Sequence, residues 1–301
     1  MSEAPTLVEE DDALTVTAGG VEIARYVLRS DAPAFESPKP YLHPLRTLSG
    51  APLTAIRPWD HRWHKGVQMT WSHLSGENFW GGRTFVLGQG YQALDNNGSI
   101  RHEGFTSLTR DGEGSSVTER LSWISSAGER WIAEERTHRF HSVDHARGIW
   151  ALDFATSLTN VRGRTLELGS PTTHGRPDAG YTGFFWRGPR SWTGGEVISA
   201  TGRTGADVMG TEAAWIAFVG QHDEIDGGAT VLAYSGTTSA PVPIRWFVRS
   251  EPFPVLSPSP AFDEEIVLEP DRTLDLSHRL VFVDHRCAAD EAGALAEEYT
   301  P

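Results

Sequence analysis

Apolar and polar residues alternate along most of this chain in short segments, and many of these segments end at a glycine, proline or asparagine. A period of two is typical of β-strands that bury one face. Residues 14–29 alternate on both sides of Gly19 and Gly20, and residues 116–124 and 129–140 flank a Ser-Ala-Gly turn. Each of these patterns predicts an antiparallel hairpin.

Further strands are predicted where the same pattern recurs. They cover residues 41–48, 53–57, 67–73, 150–158, 164–169, 213–220, 230–234, 244–249, 264–268 and 273–283. Short turns separate 150–158 from 164–169 and 264–268 from 273–283, so we expect two more strand pairs. The glycine-rich segments 81–98 and 170–195 predict loops, and the length of the second suggests a functional role.

Helix is almost absent from the predicted elements, because only residues 288–299 are dominated by alanine and glutamate. Many short strands with little helix predict an all-β fold. We expect a large antiparallel two-sheet sandwich with a short C-terminal helix. The predicted organisation is a single domain over residues 1–301, with the sandwich core at 12–285 and the helix at 288–299.

The composition excludes several classes of ligand and location. The chain has 40 acidic and 26 basic residues and a net charge of −14, which argues against binding to nucleic acid or to an anionic membrane surface. The single cysteine, Cys287, excludes an internal disulfide and suits a reducing compartment. Residues 1–16 are acidic and not typical of a signal peptide, and no run of 18 apolar residues exists. We therefore expect a soluble cytoplasmic protein, with a homo-oligomer left open.

The densest polar and aromatic stretch runs from Lys39 to Trp80, and we place the site there. In an extended strand His61 and His64 would point to opposite faces, so they can meet only in a turn or bulge after Pro58. Residues of this stretch with a candidate role in substrate binding are His43, Arg46, Arg57, Trp59, Asp60, Trp63 and Trp80. The eleven tryptophans of the chain are either core residues or flat surfaces for sugar rings.

Other candidates lie outside this stretch. His102 stands beside Glu103 after a turn, where a histidine can act as a general acid. On strand 131–140 the side chains of Glu134, Arg136 and His138 share one face. The loop 170–195 adds His174 and Arg176, whereas Trp246 and Arg249 are interpreted as structural. The candidates for proton transfer are His61, His64, His102, His174 and Glu134.

Histidine is also a common metal ligand, so a metal site is the alternative. Its ligands would be His61 and His64 with His102 or His174, and Asp60 would orient a ligating ring. The leading hypothesis needs no metal or other cofactor. The sequence lacks the motifs typical of nucleotide binding, zincin chemistry and serine hydrolases.

The motif from Arg57 to His64, RPWDHRWH, and the later run SPTTHGRPDAGYTGFFWRGPR resemble a soluble bacterial family labelled "PmoA" or "methane oxygenase PmoA". No activity is established for that family. We interpret the label as a misnomer, because it names an integral membrane subunit and this chain has no membrane span. The resemblance implies a carbohydrate-associated sandwich similar in outline to galactose mutarotases. By that analogy His61, His64, His102 or His174 would be the acid, and Glu134, Glu103 or Glu167 the base.

The leading hypothesis is a protein that binds a sugar or keto-sugar and processes it by proton transfer between histidine and glutamate. As an enzyme it would be an isomerase, an epimerase or a lyase. The second hypothesis is a metal-dependent enzyme with histidine ligands, such as the oxidoreductase that the family label suggests. The third is a carbohydrate-binding module without catalytic activity.

Overall fold

Antiparallel strands make up about half of the computed structural model, which describes residues 4–223 and 225–301. In chain order the strands are β1 (Thr6–Glu9), β2 (Ala13–Ala18), β3 (Val21–Val27), β4 (Tyr41–Leu45), β5 (Val67–Trp71), β6 (His73–Leu74), β7 (Thr84–Val86), β8 (Gly90–Gln92), β9 (Ser99–Arg110), β10 (Gly114–Ile124), β11 (Arg130–Asp144), β12 (Ile149–Asn160), β13 (Leu166–Gly169), β14 (Thr182–Arg187), β15 (Glu196–Ser199), β16 (Trp215–Gln221), β17 (Gly228–Thr238), β18 (Arg245–Arg249), β19 (Val255–Ser259), β20 (Ile266–Leu268) and β21 (Thr273–Val283). Three 3-10 helices span Ala34–Glu36, Arg190–Trp192 and Gly205–Val208, and the helix α1 spans Ala289–Glu298.

Two large sheets of eight strands each form the body of the fold. The first has the order β1-β2-β3-β4-β5-β14-β19-β18, and the second has the order β15-β16-β17-β21-β12-β11-β10-β9. Two small sheets, β20-β13-β6 and β7-β8, complete the set. The predicted two-sheet antiparallel sandwich with a short C-terminal helix is confirmed.

The main core lies between the two large sheets, where alternate residues of each strand meet. Phe184 and Trp186 of β14 point inward and are fully buried. Their rings lie 5.1 Å from Phe154 and 5.4 Å from Phe218, both on the second sheet. Burying an aromatic side chain of this size contributes about 1.5–3 kcal/mol, so such pairs hold the sheets together.

Helix α1 covers part of the outer face of the second sheet. Its buried residues Ala292, Leu295 and Ala296 join an apolar cluster with alternate residues of β12, β16, β17 and β21. The hydroxyl of Tyr234 donates a hydrogen bond of 2.9 Å to the carbonyl of Ala296. The helix therefore shields apolar side chains that would otherwise face water.

The outer face of the first sheet carries a different apolar cluster. Phe185 of β14, Phe247 of β18 and Val255 of β19 belong to it, together with Trp80 and Phe253 from connecting segments. They occupy the strand positions that alternate with the inward-facing ones. Loops fold over this face, and the candidate site lies between these loops and the sheet.

The observed pairing of distant strands shows that several predictions made from neighbouring sequence are wrong. Residues 53–57 form no regular strand, and β13 pairs with β20 and β6 instead of with β12. Strand β21 pairs with β12 and β17, so the expected hairpin of 264–268 with 273–283 is also wrong. The predicted loop 170–195 contains β14, an interior strand of the first sheet. Strand partners chosen by tertiary packing do not follow from turn spacing alone.

Within residues 4–223 and 225–301, no helix combines the length and apolar composition that a membrane crossing requires.

Candidate functional site

A cavity of about 460 Å³ opens on the outer face of the first sheet. This volume falls within the range of small-molecule sites. The cavity is lined by Phe35, His61, Trp63, His64, Trp80, Gly81, Arg83, Tyr91, Arg176, Tyr181, Phe185, Phe247, Arg249, Phe253 and Val255. The lining combines aromatic rings, two imidazoles and three guanidinium groups.

The segment after Pro58 folds as two consecutive turns, and this brings the two histidines together. The amide of His61 donates to the carbonyl of Pro58, and the amide of His64 donates to the carbonyl of His61, both at 3.0 Å. The centroids of the two imidazoles are 4.9 Å apart. Of the two geometries that the sequence left open, a strand and a turn, the structure has the turn.

Two glycines allow this turn to approach the following loop closely. A Cβ atom on Gly81 would lie 2.6 Å from Cβ of Trp63, and one on Gly82 would lie 2.7 Å from its indole. Both glycines have positive φ angles, of 100° and 73°. Only glycine fits this contact without strain, so these residues set the position of Trp63 on the cavity wall.

His61 is held at one side by a carboxylate. Its buried Nδ1 lies 3.4 Å from Oδ2 of Asp60, which is an ion-pair distance without the geometry of a hydrogen bond, and Asp60 accepts a hydrogen bond of 2.7 Å from Arg190. Burial lowers the pKa of His61, and the interaction with Asp60 offsets this only in part. The ring is therefore neutral at pH 7, and Nε2 is the nitrogen left to accept a proton.

His64 is held by a buried arginine. Nη1 of Arg187 lies 3.4 Å from Nδ1 of His64, and because a guanidinium can only donate, Nδ1 is the acceptor. The proton of the neutral ring is then on Nε2. Burial, followed by electrostatic interactions with His61, Arg187 and Lys39, keeps the pKa of His64 well below its usual value. His64 is therefore a neutral hydrogen-bond donor.

Another wall of the cavity is basic and aromatic. Arg176 donates a hydrogen bond to the hydroxyl of Tyr91, and its guanidinium lies 4.9 Å from the centre of that ring. The hydroxyls of Tyr91 and Tyr181 are 2.8 Å apart. Trp80 stacks obliquely on Tyr181 with their centroids 4.5 Å apart. This wall offers both flat apolar surface and polar groups.

Five of the candidate residues from the sequence line the cavity: His61, His64, Trp63, Trp80 and Arg176. Asp60 lies directly behind His61. The others are not among the lining residues. Trp59 is 83% exposed at the tip of the turn, and Arg57 forms two hydrogen bonds to the buried Glu36.

Glu134 and His102 belong to a buried network between the sheets. Glu134 accepts hydrogen bonds from Arg136, Trp123 and Thr156. His102 lies 2.6 Å from the second buried carboxylate, that of Glu119. Neither residue lines the cavity. The network gives each buried charge a partner, which is a structural role.

The remaining predicted groups also lie elsewhere. His174 stacks on His73 with centroids 4.0 Å apart, and its Nδ1 lies 3.0 Å from the carbonyl of Ser170. Nδ1 of His43 is 2.9 Å from the hydroxyl of Thr54, and burial lowers the pKa of His43 to about 4. Arg46 donates to the carbonyl of Gly50.

The other two glutamates considered as a base lie outside the cavity. Glu103 pairs with Arg101 at 2.8 Å, and Glu167 is exposed on β13. Neither lines the cavity. Since none of the described residues that line the cavity is acidic, none of the three predicted glutamates is a base there.

The predicted metal ligands do not form a cluster. Among the described residues, the side chains that come close enough to share an ion are His285, Cys287 and Glu291, near the start of α1. His61 and His64 lie at the cavity, whereas His102 pairs with Glu119 on the second sheet. The geometry of the described chain thus gives no support to the set of His61, His64 and His102.

Sequence reasoning missed Arg83, Tyr91 and Phe253 and interpreted Arg249 as structural. Arg83 and Tyr91 follow the candidate stretch in the glycine-rich segment 81–98, and glycine-rich loops often approach ligands. Phe247 and Arg249 alternate on β18, so they share a face. That signal was present, but nothing in the sequence identified which face of β18 meets the cavity.

A known family matches almost the entire chain. Residues 13–297 match the family described as "Family of unknown function (DUF6807)". The chain belongs to this family. The description does not carry the PmoA label, and it assigns no activity. No curated protein matches the chain.

Two solved structures show a distant likeness to this DUF6807 member. A galactose 1-epimerase from Lactobacillus acidophilus NCFM is 9% identical, with 95% of this chain and 100% of that chain covered and a TM-score of 0.41. A polysaccharide lyase is 13% identical, with 94% of this chain covered and a TM-score of 0.36. The chain spans only 35% of the length of that lyase. At these scores the likeness carries no inference about chemistry.

Proposed function

We propose that the cavity binds a sugar or keto-sugar, and that His61 and His64 catalyse proton transfer at a carbon next to a carbonyl group. One observation carries this proposal. Two neutral imidazoles with centroids 4.9 Å apart line one cavity, and each is held by a charged partner on its Nδ1 side. The reaction class is that of an isomerase, an epimerase or a lyase.

The lining of the cavity supports a sugar-like ligand. Trp63, Trp80 and Tyr181 supply aromatic surface on which the apolar face of a sugar ring can pack. Arginine and tyrosine side chains supply donors for ring hydroxyls. A ligand site of this kind is largely apolar, with a few polar groups that fix orientation.

The two histidines have different roles in the proposed reaction. Nε2 of His61 accepts the proton from the carbon, and the electrons of the C–H bond form an enolate. Nε2–H of His64 donates a hydrogen bond to the oxygen that becomes negative. Return of the proton to either face, or to the neighbouring carbon, gives an epimer or an isomer. Loss of a leaving group from the next carbon gives elimination.

This assignment differs from the mutarotase analogy, because the base is a histidine instead of a glutamate. Asp60 stabilises the imidazolium that forms on His61, so it positions the base and does not touch the substrate. Proton transfer between these groups needs no metal or other cofactor.

The test is hydrogen exchange into sugars. The protein is incubated in D₂O with aldoses, ketoses, keto-sugars and uronates, and ¹H NMR follows the C–H signals next to the carbonyl. We expect loss of such a signal with native protein, and a rate about 10²–10⁴-fold lower with His61→Asn.

His285→Asn is the matched control, since this exposed histidine lies before α1 and outside the cavity. It should exchange at the native rate. Exchange that continues in a folded His61→Asn variant would overturn the catalytic role. A sugar that binds in the cavity without any exchange would support the binding-module hypothesis instead.

A further inference from the structure

The charges around the cavity differ from those of the rest of the molecule. The whole chain carries a net charge of −14. The lining of the cavity includes Arg83, Arg176 and Arg249, and none of the fifteen lining residues in the described part of the chain is acidic. The positive side chains of the lining therefore create a local potential that attracts anions, although the net charge of the molecule is negative.

These three arginines have no carboxylate partner at ion-pair distance within the part of the chain that the structure describes. Arg83 and Arg176 donate to the backbone carbonyl and the hydroxyl of Tyr91. Arg249 donates to the backbone carbonyl of Asp178 at 3.1 Å, while the carboxylate of Asp178 adds only a longer-range attraction. Guanidinium groups satisfied by neutral acceptors keep donors and charge for a ligand.

Arg176 and Arg249 also repel each other. Burial lowers the pKa of Arg249, and the positive charge of Arg176 lowers it further. Two like charges held on one wall are unfavourable in the empty cavity. An anion between them removes this repulsion, and a guanidinium can bind a carboxylate or a phosphate through two parallel hydrogen bonds.

A buried cation next to the cavity adds to its positive electrostatic potential. Arg187 is fully buried, with Nε and Nη2 unpaired, and its guanidinium lies 4.0 Å from the centre of the Phe253 ring. Burial lowers the pKa of Arg187 to about 10, so it stays charged at neutral pH. Asp60, whose charge attracts Arg187, also contacts Arg190 and His61.

We infer that the ligand is an anionic sugar whose acidic group binds Arg176 and Arg249 while its ring packs on the aromatic side chains of the cavity lining. This rests on the proposed function for the sugar ring, but the anion site is a separate claim. The acidic group is the carboxylate of a uronate or the phosphate of a sugar phosphate. Neutral sugars have no acidic group that could form an ion pair with these two guanidiniums.

The experiment compares matched ligands on the native protein by calorimetry. The pairs are glucose with glucuronate and galactose with galacturonate, which differ only at C6, and glucose 6-phosphate is the phosphate arm. We expect the acidic member of a pair to bind about 10–100-fold more tightly than the neutral one. Whether glucuronate or glucose 6-phosphate binds better identifies the acidic group.

Substitutions and the dependence on salt then test whether Arg176 and Arg249 bind the acidic group. Arg176→Gln and Arg249→Gln should each remove most of the preference for the acidic sugar, so that the ratio of the two affinities falls towards one. Arg101→Gln is the control, because Arg101 is an exposed residue on β9 that pairs with Glu103. Higher ionic strength should weaken binding of the acidic sugar alone.

The outcomes separate the two claims. Equal affinity of neutral and acidic sugars would overturn the anion inference and leave the sugar proposal standing. No binding of any of these sugars at millimolar concentration would overturn both. A preference for the acidic sugar that survives both arginine substitutions would place the anion elsewhere and overturn the assignment to this wall.

Discussion

Glu134 was a candidate base from the sequence, and its surroundings predict a structural role that can be measured. Its carboxylate is fully buried and accepts hydrogen bonds from Nε and Nη2 of Arg136 at 2.7 and 2.9 Å. Trp123 and Thr156 donate to it at 2.6 and 2.7 Å. Glu134→Ala would remove all four interactions and leave Arg136 buried beside Tyr26.

The expected loss follows from these contacts. Removing one partner of a buried ion pair costs about 3–5 kcal/mol, because the other charge stays buried without compensation. With an m-value of about 3 kcal/mol/M, the urea midpoint should fall by about 1 M or more. Glu134→Gln keeps the shape and some of the hydrogen bonds, so its loss should be smaller.

Urea unfolding monitored by tryptophan fluorescence is the assay, and Glu135→Gln is the control. Glu135 is the next residue on β11 but is exposed, so its substitution should change stability by less than about 0.5 kcal/mol. Sugar binding by folded Glu134→Ala at low temperature should match the native protein. A Glu134→Ala protein of native stability that has lost exchange activity would refute the structural assignment.

Three further predictions concern acid stability, the turn and the exposed tryptophan. Burial holds the pKa values of five histidines well below 6.5: His43, His64, His73, His138 and His278. Below pH 6.5 the unfolded chain binds protons that the native state does not, so the free energy of unfolding should fall by about 7 kcal/mol from pH 7.5 to 5.5, and equal urea midpoints at both pH values would contradict this. Gly82→Ala should lower thermal stability more than Gly88→Ala, since both have positive φ but only the first meets the indole of Trp63; equal losses would show that the contact is unimportant. Trp59→Ala should leave sugar affinity unchanged in calorimetry while Trp80→Ala lowers it, and the reverse order would place the stacking surface outside the cavity.

The local parts of the fold could be predicted from the sequence. The hairpin of β2 and β3 depends on alternation and on Gly19-Gly20, both of which lie within 16 residues. The pairing of β13 with β20 could not be predicted, since these strands lie about 100 residues apart and their partners are chosen by packing. The same holds for β14, whose glycine-rich flanks predicted a loop although its centre is an apolar run.

The candidate site, too, could be predicted only where its residues are close in sequence. The density of histidine and tryptophan in one stretch directed attention to His61, His64, Trp63 and Trp80, and all four line the cavity, because residues close in sequence can share one turn. The basic wall comes from three distant segments, around Arg83, Arg176 and Arg249, that only the tertiary fold brings together. Burial of Glu134 likewise depends on partners on other strands, so a charged residue on a strand could not be assigned to the core or to a site.

The central claim is that two neutral imidazoles line one cavity, with His61 free to accept a proton and His64 carrying its proton on Nε2. Two-dimensional ¹H–¹⁵N NMR of protein with ¹⁵N-labelled histidine reports the charge and tautomer of each ring directly. We predict that at pH 7 both rings are neutral, and that His64 stays in the Nε2–H form down to pH 5. A His64 ring that is charged at pH 6, or that carries its proton on Nδ1, would contradict the account.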